Sequence, residues 1–322
     1  MNAVMKRLQN ISIMRVTAML LIVYYHCLCC YGVWKGDYAS GLSVDFYVYL
    51  CRVLNDYHVP TFAFLSGYLF GYQRFNGGGY VNTKIFIWKK CLRVLVPYIL
   101  VGLFLCILQN RPLISMVNGI AHLWFLLSIF ECYVVFRLVD FLYKRNWCIS
   151  IIFLSYSVLF IYKIHPVGGV HISNFVWLAS YYSVGMALSR LKDKNWFSNR
   201  SLLGYLLLAS LFLHAVEILV FYKRPISLVL GLNVIVLSFL WLGTFKDDFI
   251  RPWVIKLDAA SMGIYILQQI LIQEINSLSF LRNFIVEYYY IYPHLLFIVV
   301  LSLSYYIVIF LKQYSWSKYI IG

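Results

Sequence analysis

The sequence has few charged residues and no polar segment long enough to form a soluble domain. Charged types make up 12% of its 322 residues, apolar types make up 62%, and the mean hydropathy is +0.78. An ordinary soluble domain carries about a quarter charged residues, so a soluble fold would have too few polar side chains to cover this apolar surface. A lipid bilayer solvates such a surface directly. The composition therefore predicts a polytopic integral membrane protein.

Acidic residues are also scarce, and the formal net charge is +15. No basic run stands in a polar domain, which argues against nucleic acid as a partner. The Lys and Arg residues lie instead in short gaps between apolar blocks, where such residues orient transmembrane helices. The eight cysteines do not have the spacing of a standard zinc site, so we predict no metal. The first apolar block contains Arg15 and His26, and we interpret it as a retained helix rather than a cleaved signal peptide.

Ten apolar stretches are long enough to cross a bilayer core of about 30 Å as helices. With the N-terminus in the cytoplasm, 18 Lys and Arg residues fall on the inner side and 6 on the outer side. This bias follows the positive-inside rule and predicts that both termini are cytoplasmic. Because the loops are short, we expect residues 1–322 to form a single all-α transmembrane bundle without a separate soluble domain. The predicted spans are 12–33, 45–71, 88–108, 121–143, 147–163, 171–189, 202–222, 225–245, 258–278 and 288–311.

The second predicted span is unusually polar for a membrane helix. It contains Asp45, Arg52, Asp56, His58 and Pro60. Lipid would not tolerate these residues, so the span is expected to be a broken helix or one buried within protein. The sequence also allows a polar cluster of Asp45, Asp56 and His58 in this span.

Arg15 and His26 are the clearest functional candidates, because an ionisable residue within a span is costly. They are 11 residues apart, which is nearly three helical turns, so both side chains lie on one helix face, roughly 16 Å apart along the axis. Arg offers a fork of donors suited to phosphate or carboxylate, and His can take a proton from a hydroxyl. The structural alternative is an Arg that reaches the membrane surface and a hydrogen-bonded core His.

Weaker candidates lie in the third and fourth predicted spans. Glu131 follows Trp124 by seven residues and falls near the same helix face. Lys89, Lys90 and Arg93 form a basic group at the start of the third span. This group is either an orientation signal or a binding site for anionic phosphates.

Five segments follow one another along nearly the whole chain: RVTAMLLIVYYH at 15–26, HVPTFAFLSGYLFG at 58–71, WKKCLRVLVPY at 88–98, HLWFL at 122–126 and SMGIYILQQ at 261–269. Together they resemble the acyltransferase 3 family of bacterial membrane acyltransferases, with Arg15, Ala18 and His26 at the family's positions in the first segment. The family usually has His three residues after the Tyr of its last segment, whereas this chain has Gln268.

The resemblance implies transfer of an acyl group, most often acetyl, from cytoplasmic acyl-CoA to a hydroxyl of a cell-surface or exported polysaccharide or a lipid-linked glycan. Acetyl-CoA is then the donor substrate, and the chain is expected in a bacterial inner membrane. Within this framework Arg15 and His26 are the expected catalytic residues. The expected donor-binding residues are Arg15, Lys89, Lys90 and Arg93. The expected acceptor-binding residues are Asp45, His58, Trp124, Glu131, Tyr265 and Gln268.

Three other interpretations remain open from the sequence. A transporter or flippase for a glycan or a small metabolite would also have about ten helices and buried polar residues, although it does not require the spacing of Arg15 and His26. A non-catalytic membrane partner that keeps the fold is the second. The third is a differently built acyltransferase whose catalytic His lies midway along the chain; His122, His165 and His171 are available, but none lies in a comparable motif.

Overall fold

The structure is a computed structural model that describes residues 9–34, 39–164, 170–191, 199–221, 224–245 and 252–321. Every regular element within these residues is helical, in agreement with the all-α prediction. The α-helices are α1 Gln9–Leu28, α2 Asp45–Asn55, α3 His58–Phe75, α4 Thr83–Lys90, α5 Val96–Leu108, α6 Trp124–Leu138, α7 Cys148–Ile164, α8 Val170–Leu191, α9 Arg200–Val216, α10 Arg224–Leu242, α11 Pro252–Ser277, α12 Arg282–Glu287 and α13 Tyr292–Leu311.

Seven helical segments of the described chain are long and apolar enough to cross a membrane. The chain is therefore a polytopic membrane protein, as its composition predicts. The regions of α3, α7 and α8 are not among the seven, so the count of ten spans stays a prediction. The seven segments are Asn10–Tyr31, Thr83–Leu108, Leu113–Leu138, Arg200–Phe221, Pro225–Leu242, Pro252–Ser277 and Tyr292–Leu311.

The polar second span is broken, as its sequence predicts. Helix α2 ends at Asn55 and α3 begins at His58. Pro60 accounts for the break, because its ring would clash with the carbonyl of Asp56 in a continuous helix and its nitrogen carries no hydrogen for that carbonyl. The break places His58 at the first position of α3, where it is buried.

A second proline shapes the helix that carries the basic group. Between α4 and α5 the chain forms a π-helical segment, Cys91–Leu95, and Pro97 follows at the start of α5. Pro97 cannot donate a hydrogen bond to the carbonyl of Arg93, which disturbs the regular helix on its N-terminal side. The resulting π-turn lies between Lys90 and Pro97 and contains Arg93.

Helices α3 and α8 pack with their backbones in close contact. A Cβ atom on Gly67 would lie 1.9 Å from the carbonyl oxygen of Tyr182, and one on Gly185 would lie 2.1 Å from that of Phe64. Only glycine permits this approach, and small residues are the usual means of packing helices closely in membranes. The contact holds α3 against protein rather than lipid.

Helices α1 and α11 run side by side in the same direction. Arg15 contacts Asp258 near one end of the pair, and His26 contacts Gln268 nearer the other. His26 follows Arg15 by 11 residues on α1, and Gln268 follows Asp258 by 10 residues on α11. The two helices are therefore parallel and cover nearly the same length between these two contacts. Helix α13 runs antiparallel to α11, since Lys312, just after the end of α13, donates to the carbonyl of Ala259 near the start of α11 at 2.5 Å. At the other end, Tyr292 at the start of α13 donates to Asn276 near the end of α11 at 2.6 Å. The candidate site lies around the α1–α11 pair.

Candidate functional site

One cavity of about 350 Å³ lies beside Arg15 and is bounded by α1, α3, α6, α11 and the π-helical segment. We call it the basic cavity, because it holds the three cations Arg15, Lys90 and Arg93 against one acidic residue, Asp258. Its apolar walls suit a ligand that combines anionic and apolar parts. Besides these four residues, its lining is Phe62, Ser66, Leu69, Phe70, Gln73, Tyr80, Val94, Phe125, Leu126, Ile129, Tyr133, Ala259, Ser261, Met262 and Tyr265.

Arg15 is held in this cavity by Asp258. Its Nη1 lies 2.6 Å from Asp258 Oδ1, and the hydroxyl of Ser12 donates to the other carboxylate oxygen at 2.7 Å. The Asp258 side chain is buried, whereas 28% of the Arg15 side chain is exposed. The carboxylate thus fixes one donor of the guanidinium, which leaves further donors of the fork for a ligand.

Lys90 lies within a cage of aromatic rings. Its Nζ is 3.9 Å from the ring centre of Tyr133 and 5.7 Å from those of Tyr80 and Phe86. Cation–π attraction of this kind stabilises the ammonium and restricts its position. Arg93, by contrast, is exposed. The cavity therefore has two positioned cations, Arg15 and Lys90, and one cation, Arg93, that is accessible from outside.

A second cavity, of about 200 Å³, lies beside His26. We call it the histidine cavity, because His26, His58 and His122 all line it. Trp34 lies nearly parallel to His26, with ring centres 6.0 Å apart. The remaining lining residues are Ile22, Tyr25, Asn55, Val59, Ala121, Trp124, Tyr265 and Gln269.

The orientation of His26 is set by Gln268. The Gln268 amide faces His26 Nδ1 with its oxygen at 3.0 Å and its nitrogen at 2.7 Å. When Nδ1 carries the hydrogen it donates to the amide oxygen, and the lone pair of Nε2 is then free to accept a proton. Both side chains are buried, so the ring is positioned for general-base chemistry.

His58 and His122 each carry a ring nitrogen without a hydrogen-bond partner. The backbone N–H of Val59 donates to His58 Nδ1 at 2.7 Å, which leaves His58 Nε2 as an unpaired donor. His122 Nε2 donates to the carbonyl of Ile266 at 2.9 Å, which leaves His122 Nδ1 as an unpaired acceptor. Buried polar atoms rarely lack a partner. One donor and one acceptor on the lining residues of one cavity fit a ligand with hydroxyl groups.

Asp56 does not join Asp45 and His58 in the polar cluster that the sequence allows. Asp45 is exposed at the start of α2. The Asp56 carboxylate accepts a hydrogen bond from Ser227 and lies 3.3 Å from Nε2 of His214. The chain break after α2 directs His58 into the cavity and Asp56 into this separate buried network.

The structure thus brings most, but not all, of the predicted site residues to the two cavities. Lys89, Asp45, Glu131 and Gln268 do not line either of them, although Gln268 contacts His26. His165 lies outside the described residues, as does the side chain of His171. The sequence did not single out Asp258, although it precedes Tyr265 by two helical turns and stands within an apolar helix, where an acidic residue is a signal.

A comparison with protein families places this geometry in context. The family model Acyl_transf_3, described as an acyltransferase domain, matches residues 8–313, nearly the whole chain. The chain belongs to the acyltransferase 3 family. The resemblance inferred from the five segments is therefore confirmed, and membership implies acyltransferase activity in a membrane. No curated protein and no solved structure matches the chain.

Proposed function

We propose that this acyltransferase 3 protein transfers a short acyl group, acetyl above all, from cytoplasmic acyl-CoA to a hydroxyl of a cell-surface or exported polysaccharide. One observation carries the proposal. Arg15 and His26, on one face of α1, line two neighbouring cavities, one of them cationic and the other lined by histidines. A donor with phosphates and an acceptor with hydroxyls are the two substrates that such a pair of cavities suits.

The basic cavity fits the donor by its charge and its apolar walls. Arg15, Lys90 and Arg93 would bind phosphate groups, since Arg and Lys are the usual partners of these anions. Phe62 and Met262 offer apolar contact for the uncharged arm of the donor. In this proposal these residues bind and orient the donor, so Arg15 contributes to catalysis by positioning the thioester rather than by proton transfer.

The histidine cavity fits a sugar hydroxyl. Among the residues that line it, His58 and His122 carry one unpaired buried donor and one unpaired buried acceptor, and the rings of Trp34 and Trp124 line the same space. Aromatic walls with a few convergent polar groups are typical of small-ligand pockets. A lipid-linked glycan would enter this cavity by its sugar part.

The reaction needs one proton acceptor and one leaving group. His26 Nε2 takes the proton of the acceptor hydroxyl as its oxygen forms a bond to the acyl carbon. The carbon–sulfur bond of the thioester then breaks, and the proton passes from His26 to the departing thiolate. Gln268 holds the His26 ring during both transfers. A general base of this kind contributes about 10²–10⁴ in rate.

The direction of the helices supports ten spans with the basic cavity on the cytoplasmic side. Two parallel spans require an odd number of crossings between them, and α1 and α11 are parallel. Four of the seven apolar segments lie between these helices in the chain, which is an even number. Adding α3, α7 and α8 makes seven crossings and ten spans. The positive-inside bias then predicts that Arg93 lies on the cytoplasmic side, and the family of the chain is the reason for proposing a bacterial inner membrane.

Incubation of the purified protein with radiolabelled acetyl-CoA, with and without envelope glycan from its source cell, tests this proposal. Label should appear on the glycan with the wild-type protein and fall to background with His26→Ala. His294→Ala is the control, because that His is exposed and lies outside both cavities. Absence of label and of CoA binding in the wild type would contradict the proposal and favour a transporter.

A further inference from the structure

Tyr265 separates the two cavities. Among the described residues it is the one side chain that lines both of them. At the start of α6 the two consecutive residues also divide between the cavities, with Trp124 in the histidine cavity and Phe125 in the basic cavity. The boundary between the cavities therefore passes through Tyr265 and the Trp124–Phe125 pair.

Three contacts hold the Tyr265 ring in place. Its hydroxyl donates a hydrogen bond to the backbone carbonyl of His122. Its ring packs edge-on against Phe125 and His122, with ring centres 5.7 Å and 5.5 Å apart. Only 4% of Tyr265 is exposed. A side chain fixed at both its ring and its hydroxyl does not yield readily to a bulky ligand.

Because His26 lies on the far side of this boundary from the basic cavity, the boundary affects which acyl chains can reach the base. A donor bound through Arg15 and Lys90 enters by the basic cavity, whereas the base and the acceptor lie in the histidine cavity. The thioester carbon must reach the boundary, and any chain beyond that carbon needs room beside Tyr265 and Phe125. An acetyl group places a single methyl there, whereas a longer chain competes with the Tyr265 ring or the acceptor for the same space.

We propose that Tyr265 sets the acyl chain length, confining the enzyme to short acyl donors by occupying the space into which a longer chain would extend. This inference rests on the proposed function, because it assumes that the donor enters through the basic cavity. Tyr265 acts here through its ring volume. Its hydroxyl holds the ring against the His122 carbonyl and transfers no proton.

The test compares kcat/KM for acetyl-, butyryl- and hexanoyl-CoA in the wild type and its variants. Tyr265→Ala should raise the hexanoyl-to-acetyl ratio of kcat/KM by at least about tenfold, equivalent to about 1.4 kcal/mol. Tyr265→Phe keeps the ring and should keep the preference for acetyl, at a reduced rate. Tyr80→Ala removes a ring from the same cavity near Lys90 and should change all three donors equally.

Four results distinguish the possible outcomes. An unchanged hexanoyl-to-acetyl ratio in a folded Tyr265→Ala variant would overturn the inference, as would a wild type that prefers hexanoyl-CoA. Tyr265→Leu replaces Tyr265→Ala if gel filtration in detergent shows that the alanine variant does not fold. Failure of the wild type to transfer any of the three acyl groups would instead overturn the proposed function. A hexanoyl-to-acetyl ratio that rises in Tyr265→Ala or Tyr265→Leu, but not in Tyr265→Phe or Tyr80→Ala, supports both the inference and the proposed function.

Discussion

The side-chain amide of Gln268 faces Nδ1 of His26 at hydrogen-bond distance, and both residues are buried. Gln268 stands where the family usually has a histidine. The contact gives that position a physical role, because it selects the ring orientation that leaves His26 Nε2 free. We therefore expect any residue that can bond to Nδ1, neutral or charged, to serve at this position.

Substitution of Gln268 tests this positioning role. Gln268→Leu removes the partner of Nδ1 and should lower kcat by about 10–100-fold, a part of the 10²–10⁴ that a general base supplies, with an unchanged KM for acetyl-CoA. Gln268→His and Gln268→Glu can each bond to Nδ1 and should retain most of kcat. Steady-state kinetics of the three variants would contradict the role if all lost activity equally or if KM rose.

The basic residues of the third predicted span provide a comparison between neighbours. Lys90 and Arg93 line the basic cavity, whereas Lys89 is exposed and does not. Lys90→Ala and Arg93→Ala should each raise the KM for acetyl-CoA by about tenfold, as expected for the loss of about 1.4 kcal/mol of binding. Lys89→Ala should leave it unchanged. An equal rise of KM in all three variants would indicate that the donor is attracted by the overall positive charge of this surface. An unchanged KM in all three would indicate that these residues serve only to orient the helix in the membrane.

Variants of the Arg15–Asp258 ion pair distinguish its contribution to stability from its contribution to donor binding. Arg15→Ala leaves the buried Asp258 carboxylate with one fewer partner and should destabilise the fold by about 3 kcal/mol, since removal of one member of a buried ion pair is costly. Asp258→Asn in the same chain removes the unpaired charge. The double variant should therefore recover thermal stability in detergent while its affinity for acetyl-CoA stays low.

A second measurement on the same pair addresses the shape of the cation. Arg15→Lys keeps the charge, but a single ammonium cannot present the fixed fork that serves Asp258 and a phosphate together. The lysine variant should therefore regain stability without full activity. Full activity in Arg15→Lys would show that charge alone suffices, and low stability in the double variant would contradict the assigned role of Asp258.

Close packing of α3 on α8 predicts a strong effect of very small substitutions. Gly67→Ala and Gly185→Ala would each place a methyl about 2 Å from a backbone carbonyl oxygen, and overpacking of this kind typically costs about 1–3 kcal/mol. Gly204→Ala in α9 is the control, because its Cβ would lie 3.3 Å from the Trp241 indole nitrogen. Thermal unfolding in detergent should show lower midpoints for the first two variants only.

The sequence predicted the parts of this account that depend on local pattern. The spacing of Arg15 and His26 placed both on one helix face, and the polar residues around Pro60 indicated a broken helix. Each inference needed only helix geometry or the chemistry of proline.

Local sequence patterns could not predict the contacts between segments that are distant in the chain. Asp258 is 243 residues from Arg15 and lies in no segment that resembles the family, so nothing local linked the two. Glu131 shares a helix with Trp124, yet it does not line the histidine cavity, because a common face does not specify which neighbours it meets. Tyr265 was a candidate for acceptor binding, and its place between two cavities required the packing of α6 against α11.

The most direct test of the central claim measures acetyl-CoA binding and acetyl transfer separately in Arg15→Ala and His26→Ala. The division of the site predicts that Arg15→Ala loses about tenfold or more in affinity, or about 1.4 kcal/mol. It predicts that His26→Ala binds acetyl-CoA with wild-type affinity but loses about 10²–10⁴ in transfer rate. An equal loss of binding in both variants, or full transfer by His26→Ala, would contradict the account.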